Sequence, residues 1–322
     1  MTDLPIRPIT QALTGETQPT RRGVLKCGLW AGAAMLWTVA GGVPRSSLLG
    51  GSAMAADMKT SDLSFVQISD SHIGFNKEPN PGATGTFREL LMRIKNGSPR
   101  PSFMVHTGDV SQLSKEEQFD TAQQMIKETG IETHYIPGEH DMLVDDGKPF
   151  FARFGQGANP GGWYSFDQNG VHFVALINVA NLKAGGQGSL GAAQLAWLEA
   201  DLQGRSASQP IIVLAHIPLW LVSADWGWGT EDAAQALAFL KRFGSVTILN
   251  GHIHQVMQKV EGNVSFHTAM STAFPQPAPG TAPSPGPMKV EPGKLRALLG
   301  VRSVNYVAGR DQLAIIDQPL GA

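Results

Sequence analysis

The chain predicts an α/β fold, with two β-sheets packed face to face and helices outside them, on three observations. Short apolar runs alternate with segments of helical periodicity along most of the sequence. Most of those runs end at a histidine or a carboxylate: residues 65–68 before Asp70, 103–105 before Asp109, 211–214 before His216 and 246–249 before His252. In a layered α/β fold the strand ends share one edge, so groups distant in sequence can meet there. One such residue is commonplace. Packing does not explain five clusters in that position: Asp70-Ser71-His72, Gly108-Asp109, Gly138-Glu139-His140-Asp141, His216 and Gly251-His252-Ile253-His254.

Taken in order, 65–68 and 103–105 read as strands, and helical periodicity runs over 87–95 and 115–128. Ser114, with Glu117 three residues on, is a candidate cap for the second helix. Residues 132–136 form the next short strand, which ends at Pro137-Gly138. Residues 163–166 and 171–177, parted by Asn169-Gly170, read as a hairpin, because Asn-Gly tolerates the positive φ of a two-residue turn. A helix over 191–202 places Leu195, Leu198 and Leu202 on one face. Two further strand–loop units deliver His216 and then His252 and His254, and 264–268 is another strand. Residues 274–293, dense in Pro and Gly, read as an irregular surface loop. The last element is a hairpin within 301–317 that closes one sheet edge.

The first 55 residues read as an address, leaving 56–322 as one domain. Thr20-Arg21-Arg22-Gly23-Val24-Leu25-Lys26 precedes an uncharged, moderately apolar stretch from Cys27 to Val43, and Ala53-Met54-Ala55 follows with small residues at a cleavage spacing. The pattern resembles a twin-arginine export signal, and the resemblance implies passage through the twin-arginine machinery to a periplasmic or secreted location. An uncleaved anchor is the competing reading, but the apolar run is short of the ~20 residues a span needs. No stable membrane anchor is expected after cleavage. The only cysteine, Cys27, lies in this segment, so the remaining chain has no thiol for a disulfide, a metal site or a nucleophile. Five of the 25 Lys/Arg and two of the 27 Asp/Glu also lie there, and the rest carries a net charge of about −5. That balance is no footprint of a nucleic-acid binder.

The five clusters supply what a two-metal phosphoester hydrolase requires. Two cations ~3.5–4 Å apart can clamp a phosphate and acidify a water, and they need nitrogen and oxygen ligands from several sides with one bridging carboxylate. Asp70 and His72 alternate along the chain, so a bend must turn both toward one ion. Asp109 follows a glycine that permits an unusual backbone and is the natural bridge. His252 and His254 flank Ile253 and can each reach a different ion. Imidazole with carboxylate suits Fe, Mn or Zn, and Ni as well.

The order Asp-x-His, Gly-Asp, Gly-x-His-Asp, His, Gly-His-x-His resembles that of the calcineurin-like metallophosphoesterases, over residues 65 to about 254. Gly188-Ser189-Leu190-Gly191-Ala192-Ala193-Gln194-Leu195-Ala196-Trp197-Leu198 resembles a helix start of its cyclic-nucleotide-phosphodiesterase branch. The resemblance implies a four-layer α/β/β/α sandwich and two divalent or trivalent ions. It implies Asp70, His72 and His254 on the first ion, Asp109 bridging, and His216 and His252 on the second. It also implies His140 beside the leaving group with Asp141 orienting it, and a small-molecule phosphoester as substrate, a diester ahead of a monoester. The chain departs from the family at Glu139, where the family has an Asn ligand. The carboxylate either ligates directly or stands behind the ligands, and an ionised Glu has no donor for substrate. Gln112, three residues after Asp109, stands where purple acid phosphatases carry Tyr.

Other residues keep two readings. Trp220, Trp226 and Trp228 form either a lid over an apolar part of the substrate or a small packed cap. His267 lines the pocket or belongs to its strand, and Asp141 is an orienter or a structural acceptor. His106, His134 and His172 read as structural. Two alternatives to the hydrolase stand beside it: a metal-binding or sensing module in which Glu139 has traded turnover for retention, and a partner of another exported protein docking through 274–293.

Overall fold

The computed structural model describes residues 62–155, 159–307 and 313–321, together with the backbone of two strands before them. Those two strands, β1 (Met35–Ala40) and β2 (Val43–Leu48), pair antiparallel with each other inside a unit spanning residues 1–57. The rest of the expected export signal, including Arg21, Arg22 and Ala53-Met54-Ala55, lies outside the described residues. No helix among the described residues is long and apolar enough to cross a membrane.

The second unit, 58–322, holds two sheets. One has the order β13-β12-β3-β4-β5, from Ala314–Pro319, Gly300–Tyr306, Leu63–Ile68, Phe103–His106 and Thr133–Tyr135. The other has the order β10-β11-β9-β8-β7-β6, from Met257–Glu261, Val264–Thr268, Val246–Asn250, Ile211–Leu214, Val171–Ala175 and Tyr164–Gln168. Strands β3, β4 and β5 run parallel, as do β7, β8, β9 and β11. Strands β3, β4, β7, β8 and β9 are buried along their whole length, which explains why they read as mostly hydrophobic runs rather than alternating ones.

Period-two alternation sends each strand's residues to two different cores. Phe65, Phe103 and Val105 meet Phe173, Ile212, Leu214 and Leu249 between the sheets. Val66, Ile68 and Met104 face helices α1 (Ala83–Asn96), α2 (Glu116–Lys127) and α3 (Lys148–Phe154) on one outside. Val174, Val213 and Ile248 face α4 (Ala192–Leu202) and α5 (Ala233–Leu240) on the other. The result is the expected α/β/β/α sandwich. Fully burying a side chain such as Phe173 contributes about 1.5–3 kcal/mol, so the three cores carry most of the fold's stability.

The helices follow from their stripes. Helix α1 buries Ala83, Phe87, Leu90, Leu91 and Ile94, and α4 buries Leu195, Leu198 and Leu202 as expected. Helix α2 starts with Glu116 and Glu117 and ends with Lys127, matching its dipole. Ser114 does not cap it. Lys115 is the residue at the cap, without a side-chain bond, while Ser114 sits at φ 53° and its Oγ donates to the His140 carbonyl. The Asn169-Gly170 turn and the terminal hairpin occur where predicted, with φ 50° and 82° at the two turn residues.

Besides β1 and β2, three helices and strands were not foreseen. Helix α3 opens Lys-Pro and is two turns long; α5 is alanine-rich and has few large residues to mark a face. Strand β10 is an edge strand whose Gln258, Lys259 and Glu261 are exposed, so it carries no apolar run.

Candidate metal centre

All five clusters meet at the C-terminal edge of the parallel strands, and sharp backbone bends aim them. Asp70, His72, Asp109, His252 and His254 all lie at positive φ, between 41° and 71°, which is costly for residues with a side chain. The bends are held from outside. Asp70 N donates to the Gly108 carbonyl, His72 N to the Asp109 carbonyl, and His252 N to the Asp70 carboxylate at 3.0 Å. Gly108, at φ 98°, is required twice over, because a Cβ there would also overlap the His216 ring and the Gly138 amide.

The carboxylate and imidazole groups form two sets. Asp70, His72, Asp109 and His254 each offer one atom, all within 4.8 Å of one another; Glu139, His216 and His252 form the second set on the same criterion. Asp109 lies between them: its Oδ2 is 3.5 Å from His72 Nε2 and 3.5 Å from His216 Nε2. Asp70 Oδ1 is 3.3 Å from His254 Nε2, and the two oxygens of Glu139 lie 2.9 Å from His216 Nε2 and His252 Nδ1. All of these side chains are buried except His252 and Glu139, which are partly covered.

Backbone carbonyls fix two of the rings. His216 Nδ1 donates to the Thr107 carbonyl at 2.7 Å and His254 Nδ1 to the Phe274 carbonyl at 2.6 Å. A carbonyl only accepts, so in both rings Nδ1 carries a proton and Nε2 faces the cluster, the nitrogen a metal would take on displacing any proton there. The second set passes a further test. His216 Nε2, Glu139 Oε2 and His252 Nδ1 are buried and lack hydrogen-bond partners, although neighbours stand 2.9 Å away. They converge on a common space. Buried polar groups are almost always paired, so these residues fit a bound cation.

The electrostatics agree. Burial opposes ionisation of Asp70, yet His254, His216 and His72 around it hold its carboxyl well below the usual range. Burial likewise opposes charge on His216, but Asp109 and Glu139 raise it well above an ordinary imidazole. Burial dominates at His72 and pushes it down to about 3.

His140 lies at the mouth of the cluster, half-buried, with its ring edge-on to His72 at 4.8 Å. Its amide donates to Asp109 Oδ1 and its Nδ1 to the Gln112 carbonyl at 2.7 Å, which leaves Nε2 as the free tip. Asp141 does not orient the ring. Its wholly buried carboxylate accepts from the amides of Val110, Ser111 and Gly138 and from Ser111 Oγ. It ties the Asp109 loop to the Glu139 loop. Burial and the charge of Asp109 push it up to about 7, against the pull of those amides.

The expected substrate contacts are not gathered here. Trp228 is fully buried and packs edge-on against Trp226, and Trp220 packs on Phe266 in the outer core. His267 is buried on β11, opposite Leu249 and Gln258, and feels the charge of Arg302. No hydrogen bond, ion pair or ring contact joins these four to the seven candidate ligands among the described residues. Of the two readings kept for the indoles, the burial of Trp228 fits the small packed cap. The surface loop 274–293 is also corrected at its start, since Phe274 is buried against the His72, His254 and Phe75 rings. Thr107, Gln112 and Phe274 act through main-chain carbonyls, which no side-chain pattern signals.

A family model described as calcineurin-like phosphoesterase matches residues 63–256. The chain belongs to that family. It is a metal-dependent phosphoric ester hydrolase by class. Curated relatives include a 3',5'-cyclic-nucleotide phosphodiesterase of Nostoc sp., 26% identical over 220 residues that span 66% of this chain and 79% of the relative. Another is a probable glycerophosphodiester phosphodiesterase of Arcobacter nitrofigilis, 21% identical over 64% of this chain and 77% of its own length. Among solved structures, a dimetal phosphatase from Danio rerio superposes with a TM-score of 0.60 at 14% identity, covering 80% of this chain and 96% of that one. A purple acid phosphatase from yellow lupin gives 0.58 at 14% identity, over 81% of this chain and 52% of that one. At such identities these two structures speak for the fold alone.

Proposed function

We propose that the chain is an exported binuclear phosphodiesterase. The observation that carries the binuclear reading is the position of Asp109 Oδ2, equidistant from His72 of one ligand set and His216 of the other. In this reading Asp70, His72 and His254 hold the first ion, Glu139, His216 and His252 the second, and Asp109 is shared. When bound, the ions supply positive charge for the phosphoryl oxygens and an acidified water. The protein's own groups do the rest. The Thr107 and Phe274 carbonyls keep two imidazoles in the ligating tautomer, and Asp141 locks the Asp109 and Glu139 loops together. His140, its Nδ1 held by Gln112, presents Nε2 to the leaving-group oxygen as proton donor.

Two observations support a diester over a monoester. The curated relatives above are named for diesters, and Glu139 adds a third carboxylate beside the phosphate position. A dianionic monoester feels that charge twice as strongly as a monoanionic diester. Export rests on the Arg21-Arg22 segment and the small residues at 53–55, and it places the mature enzyme in the periplasm or outside the cell. The test is metal content of the exported protein together with hydrolysis of bis(p-nitrophenyl) phosphate and p-nitrophenyl phosphate before and after chelation. Two equivalents of Fe, Mn or Zn and a chelator-sensitive diesterase are expected. One equivalent, or a faster monoesterase, refutes the corresponding part. Export is tested separately by Arg21→Lys with Arg22→Lys, which should retain the precursor in the cytoplasm.

A further inference from the structure

The Pro/Gly-rich segment after β11 lies beyond the stretch matched by the family model, yet it grips the turn that carries His252 and His254. Seven prolines fall between Phe274 and Gly293, so its backbone has few N–H groups to give. Gln276, between Pro275 and Pro277, makes up the deficit with its side chain. Its Nε2 donates to the His252 carbonyl at 2.8 Å and its Oε1 accepts from Gly286 N at 2.8 Å. Its own carbonyl accepts from Gln255 Nε2 at 2.8 Å, and Met288 N closes the segment onto the Pro275 carbonyl. Two residues earlier, the Phe274 carbonyl accepts a hydrogen bond from His254 Nδ1–H and the Phe274 ring lies against His254 and His72. The turn so gripped needs a grip, since His252 and His254 stand at φ 71° and 51°. Non-glycine residues are strained in that region and persist only where the surroundings over-determine them.

We propose that residues 274–288 form a strap that holds the His252-Ile253-His254 turn in its ligating shape, with Gln276 as the positioning residue. Proline stiffens the strap by removing unfolded-state freedom, and the Gln276 amide transmits that stiffness to the His252 backbone. Gln276 bonds to no metal-facing atom; it acts through the His252 carbonyl, between the two histidines' bends. The inference rests on the metal-centre reading above, but half of its test needs no metal.

The test uses Gln276→Glu, which keeps the acceptor for Gly286 and loses the donor to His252, and Gln276→Met, which loses both. Amide hydrogen exchange of the metal-free proteins should speed up at residues 252–255 in both variants, with the two sheets unchanged. Release of Mn²⁺ or Zn²⁺ from the loaded proteins into a chromophoric chelator should accelerate by on the order of tenfold or more, the usual scale for groups that orient ligands. Unchanged exchange at the turn with unchanged metal release overturns the proposal. So does exchange that rises equally across both sheets, which would make Gln276 a support of the whole fold. If the wild type binds no metal the function proposed above fails, while the exchange comparison still decides this one.

Discussion

The network around Arg302 and the cluster around Asp109 are both built from buried polar and charged side chains, but they are completed differently. Arg302 is 1% exposed, and its guanidinium is paired with Asp317 at 2.7 Å, Gln67 Oε1 and the Thr268 carbonyl. Gln67 passes the network on to Thr107 Oγ1 and the Asn250 carbonyl, so it stitches one sheet to the other. Every charge there has a partner from the chain itself. Around Asp109, three carboxylates meet four imidazoles, and several ligand atoms have no hydrogen-bond partner. The difference separates a structural network from a site: one is satisfied by the fold, and the other is built to be completed by something that arrives.

The sharpest way to break that contrast is Asp109→Asn. The amide keeps an acceptor for the His140 N–H but removes the shared negative charge. Charge at such a position is worth several kcal/mol to a metal-assisted reaction, so diester hydrolysis should fall by on the order of 10³-fold. Thermal unfolding of the metal-free protein should move little or shift upward, because one of three crowded carboxylates is gone. A large drop in metal-free stability would place Asp109 with the structural networks instead.

Arg302→Ala is the converse experiment. It leaves Asp317 and Gln67 Oε1 without their cation, and breaking a buried pair from one side costs about 3–5 kcal/mol. Denaturant unfolding should register that loss, while the folded fraction keeps its metal. Loss of metal without loss of stability would mean that the inter-sheet network serves the site.

The two clusters were not equally legible. One His or Asp at a strand end is commonplace, but five such clusters in order stand out, so the seven candidate ligands and their meeting place were legible in the sequence. The sandwich was equally readable, since strands such as Ile211–Leu214 and Val246–Asn250 are apolar on both faces. The Arg302 network was invisible, because an arginine in an alternating terminal strand looks like any solvent-facing charge. The hold on His216 and His254 was hidden for a different reason: Thr107 and Phe274 act with their backbones, and every residue has a carbonyl. Trp228 stayed open between a lid and a packed cap because only packing decides which way an indole turns, and its burial gives the cap.

Acid sharpens the comparison on the structural side. His267 is buried beside Arg302; burial first, and the neighbouring cation second, push it down from 6.5 to about 3. Its folded pKa is lower than its unfolded one, so between those values the unfolded chain binds the extra proton. Stability is therefore intact above pH 6.5 and is lost as pH falls toward 3. At pH 5 the loss from this one group is on the order of 2 kcal/mol. His267→Gln should flatten the fall in unfolding midpoint between pH 6.5 and 5. An unchanged profile would mean that His267 is charged in the fold.

The subtlest prediction concerns Glu139, the one ligand-set carboxylate that is partly exposed. Its two oxygens face His216 and His252, so it sits with the second set while adding negative charge where a phosphate must approach. Coulomb repulsion scales with the charge of the incoming group, so neutralising this carboxylate relieves a dianion twice as much as a monoanion. Glu139→Gln should therefore raise kcat/KM for p-nitrophenyl phosphate relative to bis(p-nitrophenyl) phosphate by about tenfold, equivalent to ~1.4 kcal/mol. Glu139→Asp keeps the charge and should leave the ratio near the wild-type value. Equal movement of the ratio in both variants would assign the effect to side-chain shape. A constant ratio in both would show that the third carboxylate does not discriminate between the two substrate charges.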